Sequence, residues 1–216
     1  MEIIANIQLE SGFVSKFHSH VVKEIAQHVK RQAPVIQTRI TEGVKRVVRE
    51  ALVSTREYQS IAQGQLKAEL GIPNSGSRIM AIINTWVNNI SVTVKAGTAP
   101  FLLIDIGMIK DDYGDVLSLP QAQYTYKSQR TQGDIPWLRW LLLEGDRRII
   151  NKYEFSRNPR GSRTGMGIMK KKTRGFWQVP PEFSGTSVNN FATRALGKIE
   201  TEIDKIVEQT IKGSFK

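Results

Sequence analysis

The chain has 216 residues, 40% hydrophobic and 24% charged, with 31 Lys or Arg against 20 Asp or Glu and a formal net charge of +11. That length and composition suit one globular domain with a real core and exclude a chain disordered throughout. The absence of cysteine excludes disulfides, thiolate metal sites and a cysteine nucleophile. A sequence pI near 9.9 points to an acidic partner surface: nucleic acid, an anionic membrane face or an acidic protein.

The opening residues, MEIIANIQLESG, lack the basic start and apolar run of a secretory signal. Residues 135–143, the longest apolar stretch, contain Pro136 and Arg139 and are too short to span a bilayer. A soluble protein without membrane contact is the expectation. Residues 13–53 read as helix, because Phe13, Phe17, Val21, Ile25 and Val29 recur every fourth position and Ile36, Ile40, Val44, Val47, Val48 and Ala51 continue the stripe. Pro34 removes a backbone donor and crowds the preceding turn, so two helices or one kinked helix are expected. Such a stripe serves core or oligomer packing.

Residues 54–72 carry Ser54 as N-cap and Gly71 as helix stop with Pro73 beyond, and a short helix follows from Arg78 to Trp86. The pattern then alternates. Residues 90–94 and 101–109 read as strands, the turn-like KDDYGD at 110–115 leads into 116–119 as a hairpin, and 124–126 add a strand. Residues 127–134 are a polar loop ahead of the apolar segment from Ile135. From Asn189 on, Phe191, Ala195, Leu196, Ile199, Ile203, Ile206, Val207 and Ile211 form a helical stripe, with Thr186 or Ser187 as cap and Gly213 as stop. The expected class is α+β: long N- and C-terminal helices on a small antiparallel sheet in one domain over 1–216, with an extended basic arm at 156–186. The sheet or a neighbouring subunit must cover both helices.

Chemistry-bearing patterns are sparse. His18, His20 and His28 lack the four-residue spacing of a helical zinc pair. Asp111, Asp112 and Asp115 fail the spacing of a calcium loop, and no nucleophile elbow or phosphate-binding loop occurs. Asp105 and Glu144 are the carboxylates a magnesium nuclease would need, though no motif joins them. No catalytic residue, metal or cofactor is assigned.

The basic stretch differs. Residues 147–174 hold ten Lys or Arg against the single acid Glu154. Gly161, Gly165 and Gly167 permit close backbone approach, while Met166, Ile168, Met169, Phe176 and Trp177 supply apolar contact. The candidate partner-binding set is Arg157, Arg160, Arg163, Met166, Met169, Lys170, Lys171, Lys172, Arg174, Phe176 and Trp177. No recognisable DNA-reading motif is present, so any nucleic-acid contact would be to phosphates and blind to sequence.

Three segments carry a resemblance: SRTGMGIM at 162–169, WQVPPEFSGT at 177–186 and NNFATRAL at 189–196. Together they resemble the C-terminal region of the tailed-bacteriophage minor tail protein Z family and related tail-completion or neck proteins. Residues 65–72 (QLKAELGI) and the Trp86 region are compatible with it, while KKKTRG at 170–175 and Pro34 depart from the pattern. The resemblance implies a virion structural subunit at the head–tail junction, assembled in the host cytoplasm. It also implies helices on a small antiparallel sheet and a hexameric or dodecameric ring around the DNA channel. The implied partners are further copies of the chain, portal or adaptor proteins, and tail-terminator or tail-tube proteins, with non-specific contact to channel DNA. A sequence-independent DNA-binding protein is the alternative, and a metal-dependent nuclease a more distant one.

Overall fold

The computed structural model describes residues 13–97, 101–108, 112–127, 132–157, 160–162 and 164–215, the side chains of residues 13–15 excepted. The N-terminal dodecapeptide read for a signal lies outside the described residues. Helix α1 (Phe13–Val53) is a single helix of 41 residues with Pro34 inside it, not the two helices that were one expectation. Proline costs an interior helix about 3 kcal/mol, but here Ala33 and Ile36 on either side are both buried, and that packing holds the helix through the defect. Pro34 itself faces solvent, and its carbonyl accepts the Thr38 hydroxyl at 3.1 Å.

Helices α2 (Arg56–Gln63), α3 (Gln65–Leu70) and α4 (Ser75–Asn88) follow. Thr55, one residue after the expected Ser54, caps α2 by accepting the Tyr58 N–H at 3.2 Å. Gly71 ends α3 in the left-handed conformation at φ 61°, as a glycine at that place allows. Strands β1 (Ser91–Ala96) and β2 (Leu102–Gly107) pair antiparallel, with Val92 opposite Ile106 and Val94 opposite Ile104. The hairpin expected from 110–115 into 116–119 does not form. Residues 109–111 lie outside the described residues, and the chain beyond them enters a short helix, α5 (Gly114–Leu117). Tyr113 takes φ 55° there and buries its ring, and Val116 is fully buried, so core packing draws this segment into a helical turn.

Residues 127–134, read as a polar loop, contribute a strand: β3 (Tyr124–Lys127) pairs antiparallel with β4 (Gln132–Ile135), and 128–131 lie outside the described residues. The Thr125 hydroxyl bonds Asp134 across this pair at 2.6 Å. Polar cross-strand partners hold a ribbon that hydrophobic alternation does not announce. Helix α6 (Trp137–Leu142), strands β5 (Ile150–Ser156) and β6 (Ile168–Trp177), and helix α7 (Phe191–Ser214) complete the order. Among the described residues the β structure is three separate two-stranded antiparallel ribbons.

The long helices cover each other. Ala33, Ile36, Ile40, Val44, Val47, Val48 and Leu52 of α1 share one core with Phe191, Ala192, Ala195, Ile199 and Ile203 of α7, and with α4 and α6. This replaces the expectation that the sheet or a neighbour must cover both faces. A Cβ on Gly43 would lie 2.7 Å from Ile206, and His28 meets Phe215 at 5.8 Å between ring centroids. Descending numbers on α1 therefore meet ascending numbers on α7, so the pair is antiparallel. Trp86 of α4 sits between Phe191 at 5.9 Å and Tyr113 at 6.2 Å.

Asn190, not Thr186 or Ser187, caps α7, and the helix continues past Gly213 to Ser214. No helix among the described residues is long and apolar enough to cross a membrane.

Candidate functional site

The basic stretch folds as a hairpin. β5 and β6 pair from Ser156 opposite Ile168 to Tyr153 opposite Lys171, and again from Asn151 opposite Phe176 to Ile150 opposite Trp177. Between these runs, residues 172–175 stand against Lys152 alone, so the strand bulges. Gly175 supplies φ 135° there, and Lys152 takes φ 63°, a conformation uncommon outside glycine. The bulge turns KKKTRG outward. Lys152, Lys171, Lys172, Thr173 and Arg174 line an open concavity on the hairpin.

Both ends of the hairpin are anchored. Trp177 is 5% exposed. Its indole N–H donates to Glu69 Oε2 at 2.8 Å and its ring packs 5.7 Å from Trp140. At the other end Phe155 and Met169 pack against the core. Together with Gly167 they approach Ala68 and Gly71 at the C-terminal end of α3. The connecting loop is organised by one hydroxyl, because Ser162 Oγ accepts the N–H groups of Thr164, Met166 and Gly167 at 3.3, 3.2 and 3.1 Å. A Cβ on Gly167 would stand 2.3 Å from the Phe155 ring, so this position needs glycine.

The predicted contact residues divide accordingly. Arg157, Arg160, Lys170, Lys171, Lys172, Arg174 and Phe176 are exposed, and Met166 and Met169 are half-buried. Trp177 is spent inside the fold and has no surface to offer a partner. Arg163 lies outside the described residues. Lys172 pairs with Glu154, and the Arg148 guanidinium lies 4.4 Å over the Phe176 ring. Among the described residues, Glu154 is the one acid between β5 and β6, so most of the hairpin's positive charge faces water uncompensated.

Arg148 and Lys152 belong to the basic stretch but not to the predicted contact set, and both are exposed on the hairpin side of the fold. The bulge that brings Lys152 to the concavity has no local signature except Gly175.

The other candidates do not assemble. Asp105 faces solvent on β2 opposite Thr93, and Glu144 is bound by Arg139 at 2.8 Å. Among the described residues no three His, Cys, Asp or Glu converge on a metal position. His18 and His20 are exposed on α1. Among the described residues one ion pair has a buried member: Glu57, 5% exposed, meets the half-buried Arg194 at 2.5 Å and ties α2 to α7.

Comparison with family models, with curated proteins and with solved structures finds no match to this chain.

Proposed function

We propose that the protein is a structural subunit of a bacteriophage neck or tail-completion ring, joining the head connector to the tail by assembly around the DNA channel. The observation that carries this reading is the β5–β6 hairpin: a bulged basic ribbon, uncompensated outward and tied at both ends to a helical scaffold. A rigidly seated charged surface loses little conformational entropy on docking and selects a partner of opposite sign. The resemblance of 162–169, 177–186 and 189–196 to the protein Z family supplies the setting. In that setting the hairpin docks on an acidic face of the next subunit or of a neighbouring connector protein, and turnover chemistry has no part.

The test is complementation of a phage defective in this protein with Lys170→Gln, Lys171→Gln and Arg174→Gln combined. All three side chains are exposed, so the variant is expected to fold, while filled heads and free tails accumulate unjoined. Normal yields of joined, infectious particles from a phage lacking the protein altogether would overturn the reading.

The concavity of Lys152, Lys171, Lys172 and Arg174 favours a second reading, sequence-independent binding of duplex phosphates. Four such contacts predict a log–log salt slope of about −3.6 for the isolated protein. A flat response removes that reading and leaves a protein partner.

A further inference from the structure

Charge is divided between two surfaces of this chain. Residues 147–174 hold ten Lys or Arg against one acid, whereas residues 200–208 of α7 hold Glu200, Glu202, Asp204 and Glu208 against Lys205 alone. All four carboxylates are exposed. The outward face of the basic hairpin also has an apolar centre. Neighbouring strand residues point to opposite faces, so burial of Trp177 sends Phe176 outward and packing of Met169 on the core sends Lys170 outward. Phe176 is 43% exposed, with the Arg148 guanidinium over its ring. Phe176 stands opposite Asn151 and Lys170 opposite Glu154, three positions apart along β5 and so about 10 Å. Glu154 itself is engaged by Lys172.

A groove on α7 has the opposite character. Met108, Leu196, Gly197 and Ile203 floor it, and Glu200 and Asp204 rim it. A Cβ placed on Gly197 meets nothing within 4 Å, so the groove is open to an incoming side chain there. Among the described residues neither rim carboxylate has an ion-pair partner. The helix's own lysines sit elsewhere. Lys198 lies about 160° round the axis from Glu200, Lys205 about 100° from Asp204, and Lys212 is engaged by Glu208. Gly197 and Asp204 are separated by about 10 Å of helical rise, the spacing of Phe176 and Lys170.

We infer that the hairpin of one copy docks on the α7 groove of a second copy, with Phe176 over Leu196 and Gly197, Arg148 beside Glu200 and Lys170 beside Asp204. An aromatic anchor flanked by cations meets an apolar floor flanked by carboxylates. The contact joins different surfaces on its two sides. It is therefore heterologous and propagates head to tail, into a ring if the rotation closes and a filament if it does not. The inference rests on the proposed role of the hairpin as a docking surface and names the acidic face that it takes.

Charge reversal on one side at a time tests the contact by sedimentation of the full chain. Glu200→Lys with Asp204→Lys gives a copy basic on both surfaces, and Arg148→Glu with Lys170→Glu gives one with an acidic hairpin as well as an acidic groove. Each variant alone is expected to lose self-association about tenfold or more. Mixing the two restores it, because every contact between unlike copies is again between opposite charges, and that rescue also shows both variants folded. Phe176→Ser, at an exposed position, is expected to weaken association of the otherwise unchanged chain by a similar factor.

The inference is overturned by a wild-type protein monomeric at every concentration, by assembly indifferent to reversal at 200 and 204, or by a mixture no better associated than its components. Any of these, found while the hairpin variant still leaves heads and tails unjoined, assigns the hairpin to a different acidic protein and leaves the neck reading standing. Rescue by mixing, found while phage lacking the protein still yields joined particles, removes the neck reading and keeps the contact.

Discussion

Replacing Asn190 tests how α7 is fixed to the rest of the molecule. The residue is fully buried. Its Oδ1 accepts the N–H groups of Ala192 at 3.0 Å and Thr193 at 3.2 Å. Its Nδ2 donates to the Tyr113 hydroxyl at 2.7 Å and to the carbonyls of Thr186 at 2.9 Å and Leu142 at 3.3 Å. One side chain thus caps the helix and binds it to α5, α6 and the preceding loop.

Asn190→Ala removes the cap, worth about 1 kcal/mol, and leaves buried acceptors unpaired at about 2 kcal/mol more. The total of about 3 kcal/mol corresponds to roughly 6–12 °C in Tm for a domain of this size. Asn190→Ser keeps a cap acceptor and loses only the amide donors, so it is expected to cost about 2 kcal/mol. Urea unfolding followed by far-UV circular dichroism and by tryptophan fluorescence measures both, with an unchanged slope expected. A loss below about 1 kcal/mol for the alanine variant, or a serine variant no more stable than alanine, would refute the assignment of these bonds.

Four other outcomes are expected. Trp177→Phe keeps a ring on Trp140 but loses the donor to Glu69, costing about 1.5–3 kcal/mol for a bond to a charged group; hydrogen exchange should rise in 168–177 ahead of α7. Gly185→Ala would put a Cβ 2.2 Å from the Leu141 carbonyl oxygen and 2.7 Å from Asn190 Cβ, so a loss of about 3 kcal/mol is expected. Gly197→Ala, open on all sides in the middle of α7, should gain about 0.5–1 kcal/mol in the same unfolding assay. The Lys212 ammonium beside Glu208 holds that carboxyl below its usual range, through a hydrogen bond first and charge second. Its small contribution is present above the ordinary carboxylate pKa and lost as pH falls through the lowered one, and Lys212→Met should return the Glu208 titration to the ordinary value by NMR.

Local pattern located both long helices, the strands that form at Ser91–Ala96 and Leu102–Gly107, and the stop at Gly71, because each depends on local spacing or on one residue's backbone freedom. The basic character of 147–174 was equally legible, since charge is a property of composition. Partner choice was not. Whether 116–119 would pair as a strand or turn as a helix depended on burial of Tyr113 and Val116 against distant residues, and Pro34 was overridden by packing on either side of it. Asn190 was chosen over Thr186 as the cap because only its amide could also reach Tyr113 and Leu142.

At the site, the sequence by itself determined which residues carry the positive charge. The tertiary structure decided which of them face outward. Trp177, an apparent anchor for a partner, lies within reach of Glu69 and Trp140 only once α3 and α6 are in place, and so turns inward. Lys152 reaches the basic concavity only because the ladder slips at 172–175. The apolar stripe of α1 follows the same rule: it is written in the sequence through Val21 and Ile25, but it is buried only from Val29 on, where α7 lies beside it.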